Sequence, residues 1–116
     1  MANLYAEERA DALADITEDG VAGHILRGVA EHACSFLMLD YETAQIDGDL
    51  IRSSDILFMI PSLGLTIVPD AEQDQIVVDD ARPEFVASVG TYRIVTVKPF
   101  QPGGVVIFYD VQGRKL

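Results

Sequence analysis

Residues 46–114 decide the fold; this stretch begins IDGDLIRSSDILFMI (46–60) and ends TYRIVTVKPFQPGGVVIFYDVQGR (91–114). Short runs rich in Val, Ile, Tyr, Phe and Thr recur within it, and Gly, Pro or Asp ends each run. Such runs are typical of short antiparallel strands, because β-branched and aromatic side chains suit a pleated sheet and the breakers mark turns. The sequence therefore predicts a mainly β (α+β) protein: a small antiparallel β-barrel or sandwich.

The candidate strands extend to the N-terminal side of this stretch as well. They are residues 21–30, 33–41, 56–60, 63–68, 76–78, 85–89, 91–97 and 105–111. The clearest alternation lies in 91–97, because successive side chains of a strand point to opposite faces. Tyr92, Ile94 and Thr96 are predicted to share one face, and Thr91, Arg93, Val95 and Val97 the other.

The first 20 residues predict an amphipathic helix ahead of the strands. Asn3 is a suitable N-cap, and Gly20 can end the helix in the left-handed conformation. A narrow apolar stripe is expected to lie against the barrel or to dock on a neighbouring subunit. Its members are Leu4, Tyr5, Ala12, Leu13 and Ile16.

The chain length allows one domain and one core. With 116 residues, 49% of them hydrophobic and 23% charged, the composition is that of an ordinary folded protein. The predicted division is a helix within 1–20, a barrel over 21–113 and a basic, mobile tail at 114–116.

Acidic residues outnumber basic ones, and this imbalance limits the possible partners. The chain has 8 Lys and Arg against 19 Asp and Glu, which gives a net charge of −11. Nucleic-acid affinity depends mainly on cations that neutralise phosphates, so firm binding of DNA or RNA is not expected. Anionic membrane surfaces are disfavoured for the same reason. Residues 1–49 hold 11 of the acids and 2 of the basic residues, so the negative field is strongest there.

The cysteine content and the apolar segments indicate a reducing compartment and no membrane partner. Cys34 is the only cysteine, so an intrachain disulfide is impossible. The N-terminal segment is acidic, whereas a signal peptide has a basic start and an apolar centre, so we do not expect it to be a targeting segment. The longest uncharged apolar stretch, 56–68, is interrupted by Pro61 and Gly64 and is too short to cross a bilayer.

No residue pattern predicts an enzyme, a metal site or a cofactor. A zinc site needs about four ligands, and His24, His32 and Cys34 offer only a beginning. The turn at 47–49 lacks the alternating ligands of a calcium loop. Cys34 lies in an apolar run, where burial raises the pKa of a thiol and makes it unreactive. The expectation is a protein with no catalytic, cofactor-binding or metal-binding residues.

The order and spacing of residues over about 35–116 carry a family resemblance. An aspartate precedes new strands, and a Pro-Gly turn introduces the last one. The residues concerned are Leu39, Tyr41, Ile46, Asp47, Gly48, Leu50, Ile51, Asp55, Pro69, Asp74, Tyr92, Val95, Val97, Pro99, Pro102, Gly103, Tyr109, Val111 and Arg114. This layout resembles the small head-tail joining proteins (head-completion or stopper proteins) of the neck of long-tailed bacteriophages and prophages. The chain departs from the pattern at Ser54, where a Gly is usual, and in the length of 79–89.

The resemblance implies a structural protein of the virion that is made in the bacterial cytoplasm and forms a homo-oligomeric ring. The ring would lie between the portal-adaptor protein on one side and the tail-terminator or tail-tube protein on the other. DNA would pass through its centre without specific binding, since carboxylates that line the bore repel phosphate. We hypothesise that Glu42, Asp47 and Asp49 line the bore. Contacts with neighbouring subunits or partners are expected from the apolar segment 62–68 and from the tail. The residues of this hypothesis are Leu63, Leu65, Arg114 and Lys115.

Two alternatives remain open from the sequence. One is a tail terminator or tail-completion protein, since adaptor, stopper and terminator proteins overlap in size and charge. The other belongs to a different class: a small soluble β-barrel module that binds a ligand or a protein on its surface.

Overall fold

Antiparallel strands form a closed barrel, and one α-helix precedes them. The computed structural model describes residues 5–41, 51–52 and 54–116. Within these residues the helix α1 spans Ala6–Asp19, and the six strands are β1 (Val21–Arg27), β2 (Ala30–Asp40), β3 (Ile56–Pro61), β4 (Asp74–Val78), β5 (Gly90–Phe100) and β6 (Phe108–Lys115). Around the barrel they follow the order β1-β2-β3-β6-β5-β4, and β4 pairs back with β1. The predicted fold class is confirmed, and of its two forms the barrel is the one observed.

The barrel interior is filled by aliphatic and aromatic side chains from every strand. Phe58 lies at its centre, and its ring makes edge-to-face contacts with Phe36 at 5.2 Å and with Tyr92 at 5.1 Å between centroids. Such contacts add to the stabilisation from burial of apolar area. The core cluster comprises Val21, Ile25, Phe36, Phe58, Ile60, Ile76, Val78, Tyr92, Ile94, Tyr109 and Val111.

A β-bulge in β5 reverses the predicted alternation of side chains in the second part of the strand. Ile94 pairs with Gly113 and Thr96 with Gln112, so one extra residue, Val95, is inserted between them. A bulge shifts the facing of every later residue in its strand. Tyr92 and Ile94 are therefore buried as predicted, but Thr96 is exposed and Val97 packs against the core in its place.

Two predicted strands are absent at their predicted positions. Residues 63–68 begin in a turn, in which the Leu65 N–H donates to the Ser62 carbonyl and Gly64 has a φ of 84°. A residue with a positive φ interrupts an extended strand, so this segment begins with a turn and does not form the predicted strand. Residues 85–89 largely belong to a 3₁₀ helix over Pro83–Ser88, because Pro83 sets a helical φ in its first turn.

The ends of the helix also differ from the prediction. Asn3 and Leu4 lie outside the described residues, and Tyr5 precedes the first turn in a left-handed conformation with a φ of 64°. Gly20 is extended rather than left-handed, with a φ of −94°. A Cβ there would meet the Phe36 carbonyl oxygen at 2.8 Å, so glycine is needed for close approach to β2. The predicted stripe holds for its described members, since Ile16 is buried and Tyr5, Ala12 and Leu13 are half-buried.

The prediction of a mobile tail at 114–116 is wrong. Arg114 and Lys115 belong to β6, and the Leu116 N–H donates to the Thr91 carbonyl at 3.0 Å. The final residues are therefore part of the barrel wall. Among the described residues, no helix is long and apolar enough to span a membrane.

Candidate functional site

Three buried aspartates, each paired with an arginine, tie the ends of the strands together. Asp55 precedes β3, Asp74 opens β4 and Asp80 follows β4. All three carboxylates lie within 3 Å of an arginine nitrogen. A buried carboxylate is stable only when its charge is compensated, so these pairs fix the geometry of the surrounding surface.

The Asp55 carboxylate accepts four hydrogen bonds. The Arg114 Nε donates to Oδ1 and the Arg114 Nη2 to Oδ2, each at 2.8 Å. Oδ2 also accepts hydrogen bonds from the Arg52 backbone N–H at 2.9 Å and from the Gln112 side chain at 2.8 Å. The hydrogen bond from Arg114 is the main cause that holds the pKa of Asp55 well below its usual range.

The other two pairs hold loops against β1. Arg27 donates to both oxygens of Asp74, at 2.7 and 2.9 Å, and also to the Val68 carbonyl at 3.0 Å. Arg82 binds Asp80 through Nε and Nη2 and donates to the Gly20 carbonyl at 2.8 Å. The side-chain hydrogen bonds from Arg82 hold the pKa of Asp80 below its usual range.

A groove of about 330 Å³ lies between α1, β2 and the turn after β3. Its walls are mostly apolar, which is typical of surfaces that bind another molecule. Leu63 and Leu65, both predicted as contact residues, belong to this wall. The full lining is Leu13, Thr17, Ala33, Cys34, Ser35, Pro61, Leu63, Gly64 and Leu65.

Cys34 contributes a thiol to this groove, but the thiol is not activated. Burial raises the pKa of Cys34 to about 12, with a smaller contribution from the charge of Asp79. A thiolate is the nucleophilic form of cysteine, so Cys34 acts here as a small apolar side chain.

The two histidines have separate neighbours. His24 Nδ1 lies 3.1 Å from the Asp79 Oδ2, and His32 Nδ1 lies 2.7 Å from the Thr66 Oγ1. Within the described part of the chain, no group of three or more His, Cys, Asp or Glu side chains is placed to bind a metal ion.

The remaining predicted site residues are placed as follows. Glu42, Asp47 and Asp49, the predicted bore lining, lie outside the described residues. Arg114 is paired with Asp55, so its charge is engaged within the chain. The Lys115 Nζ donates to the Ala87 carbonyl at 3.1 Å and is exposed.

Sequence reasoning noted aspartates before the strands but did not identify their partners. Asp55 and Arg114 are 59 residues apart, and only the barrel topology brings them together. A local signal existed for Asp80, because Arg82 follows two residues later.

Comparison with known proteins assigns no family to this chain: no family model, curated protein or solved structure matches it.

Proposed function

We propose that this chain is a structural protein of a phage neck that forms a ring between the portal-adaptor complex and the tail. Support comes from the layout, in which an acidic helix precedes a small closed barrel, as the resemblance of the sequence implies. Asp55 and Arg114, both members of the residue pattern that carries the resemblance, form an ion pair between the neighbouring strands β3 and β6.

The observation that carries the proposal is the distribution of charged side chains: arginines are paired within the chain, whereas carboxylates are exposed. Three of the 8 basic side chains, Arg27, Arg82 and Arg114, are paired with aspartates within the described residues. The outer face of α1 meanwhile exposes a series of carboxylates. They are Glu7, Glu8, Asp11, Asp15, Glu18 and Asp19.

This charge distribution suits a subunit past which DNA must slide. Few cations remain to neutralise phosphates, and affinity for duplex DNA rises steeply with their number. Carboxylates on the surface repel the duplex over about one Debye length, about 8 Å at physiological salt. The ring would guide DNA without holding it at any position.

Co-expression of the chain with the products of the adjacent genes tests this role. The expected result is a ring-shaped complex that contains a portal or adaptor protein, with or without a tail protein, seen by electron microscopy and recovered by size exclusion. Absence of any such complex would contradict the proposal. A complex with tail protein alone would favour the tail-terminator alternative.

A second experiment tests the bore lining by removing charge from the assembled ring. The triple variant Glu42→Gln, Asp47→Asn, Asp49→Asn should retain duplex DNA at about 0.15 M salt, whereas the unmodified ring should not. The matched control, Glu31→Gln, Glu72→Gln, Glu84→Gln, removes the same charge from exposed positions outside α1. Equal retention by the two variants would contradict the assignment of the three residues to the bore.

The groove beside β2 favours one alternative, the small binding module. A module of this kind would bind its partner as an isolated monomer and would form no ring with portal or tail proteins. The co-expression experiment therefore separates the two functions.

A further inference from the structure

A second cavity lies on the outer wall of the barrel, where strands β1, β4 and β5 form its floor; we call it the outer cleft. Its volume is about 380 Å³. Leu26, Gln75 and Arg93 line it and are direct partners across the three strands. Each of them follows or precedes a residue of the core cluster, so these three side chains point outwards. Gly28 and residues 71–74 complete the lining.

The turn over residues 70–74 forms one wall of the outer cleft and is held by its own hydrogen bonds. The Asp70 carboxylate accepts from the Glu72 N–H at 2.8 Å and from the Gln73 side chain at 2.9 Å. The Asp74 N–H donates to the Asp70 carbonyl at 3.0 Å, and the Asp74 carboxylate accepts from the Asp70 N–H at 2.8 Å. Arg27 compensates the charge of the buried Asp74. The wall is therefore preformed, and Asp74 adds no free charge to the cleft.

Two charged side chains of the outer cleft, those of Arg93 and Glu72, are not paired within the described residues. Both residues are exposed, and neither side chain makes a hydrogen bond or an ion pair in this part of the chain. Arg27, Arg82 and Arg114, in contrast, are each bound by an aspartate. A guanidinium and a carboxylate that line one cavity without bonding to each other favour a ligand that carries both charges.

Gln75 places an amide beside the Arg93 guanidinium. The two residues are directly opposed on β4 and β5, and the Cβ atoms of such pairs lie about 5 Å apart. The Gln75 side chain has no hydrogen-bond partner among the described residues. The planar fork of an arginine matches the two oxygens of a carboxylate, and an amide NH₂ can donate to the same group. Arg93 and Gln75 together therefore suit the carboxylate of a ligand.

Leu26 provides the apolar part of the outer cleft. It is half-buried and lies opposite Gln75, on the side away from Arg93. An aliphatic group of a ligand would be removed from water by packing against it. The volume of the cleft is near the lower end of the range of ligand cavities, roughly 300 to 1,000 Å³, so a ligand of the size of an amino acid fits better than a nucleotide.

We propose that the outer cleft binds a small zwitterion, an α-amino acid with an aliphatic side chain. Arg93 and Gln75 bind its carboxylate. Glu72 binds its ammonium group, and Leu26 packs against its side chain. A ligand with a single charge would leave either Arg93 or Glu72 without a partner. The inference is independent of the neck role.

Titration of the ¹⁵N-labelled chain with L-leucine and two analogues, followed by NMR, tests the proposal. N-acetyl-leucine keeps the carboxylate but loses the ammonium group, and leucinamide keeps the ammonium group but loses the carboxylate. Leucine should bind saturably with a Kd below about 10 mM, as is typical of a ligand with so few atoms. The largest shifts should fall on the amides of Gln75 and Arg93. Each analogue should bind at least about tenfold more weakly, because it loses one charge-assisted contact.

Two variants assign each charge of the ligand to its partner in the cleft. Glu72→Gln should weaken the binding of leucine about tenfold and leave that of N-acetyl-leucine unchanged. Arg93→Gln should weaken the binding of leucine about tenfold and leave that of leucinamide unchanged. Both positions are exposed, so the core stays intact in either variant.

The matched controls remove the same charges from exposed positions outside the cleft. Lys98→Gln, farther along β5, and Glu84→Gln, in the 3₁₀ helix, should bind leucine as the unmodified chain does. Three results would each overturn the proposal: no saturable binding of leucine, equal affinity for leucine and both analogues, or a loss in the controls as large as in the cleft variants.

Discussion

Asp55, one residue before β3, and Arg114, near the end of β6, face each other through two hydrogen bonds of 2.8 Å. The pair joins the beginning of one strand to the end of its neighbour, 59 residues later in the sequence. The Asp55 side chain is fully buried and the Arg114 side chain is 14% exposed, so water replaces little of this interaction.

Asp55→Asn should lower the free energy of unfolding by about 3 kcal/mol, because it leaves a buried arginine charge without its compensating carboxylate. Urea unfolding measured by circular dichroism checks this value. Asp15→Asn, at an exposed position of α1, should change stability by no more than about 0.5 kcal/mol. A loss of under about 1 kcal/mol for Asp55→Asn would contradict the importance of the pair.

The same pair should make stability depend on pH in the acid range. Because the folded state holds the pKa of Asp55 below its unfolded value of about 3.9, Asp55 stabilises the fold fully above that value. The contribution is lost as the pH falls towards the folded pKa. The stability gap between wild type and Asp55→Asn should therefore narrow by up to about 1.4 kcal/mol per pH unit below about pH 4. A gap that stays constant with pH would be inconsistent with this assignment.

Gly113→Ala should destabilise the barrel by about 2 kcal/mol through overpacking. A methyl group at Gly113 would lie 2.9 Å from Cδ2 of the buried Phe58 ring. Phe58→Leu removes part of that ring, so the double variant should be at least about 1 kcal/mol more stable than the sum of the single effects predicts. Strictly additive losses in denaturant unfolding would show that Phe58 is not the obstacle.

Cys34 should react slowly with an aromatic disulfide reagent while the chain is folded. A thiol with a pKa of about 12 has little thiolate near pH 8 compared with a free cysteine. We expect a rate at least about 100-fold below that of the urea-unfolded chain, in which one thiol per chain should react. Comparable rates in the two states would contradict the inert role given to Cys34.

The fold class was predictable because it depends on short-range patterns. Runs such as 56–60 and 105–111 are rich in residues that favour strands, and turn residues separate them. The bulge at Val95 was not predictable, because TYRIVTV alternates regularly and the extra residue appears only in the register with β6. Likewise, the apolar run 63–68 resembles a strand in composition, but the left-handed Gly64 makes it a turn.

The candidate site was predictable only in part. Leu63 and Leu65 were selected because they belong to the apolar segment 62–68, and the structure places both in one groove. The other wall, formed by Leu13 and Ala33, depends on how the helix lies across β2. Arg114 was assigned to an outer contact, whereas its charge is engaged by Asp55, a pairing that no local pattern specifies.

Strand β6 inserts between β3 and β5, two strands that precede it in the chain and do not pair with each other. A nascent chain in which Phe108–Lys115 is still inside the ribosome therefore leaves both neighbours with unpaired edges. The barrel wall can be completed only after translation has passed this segment.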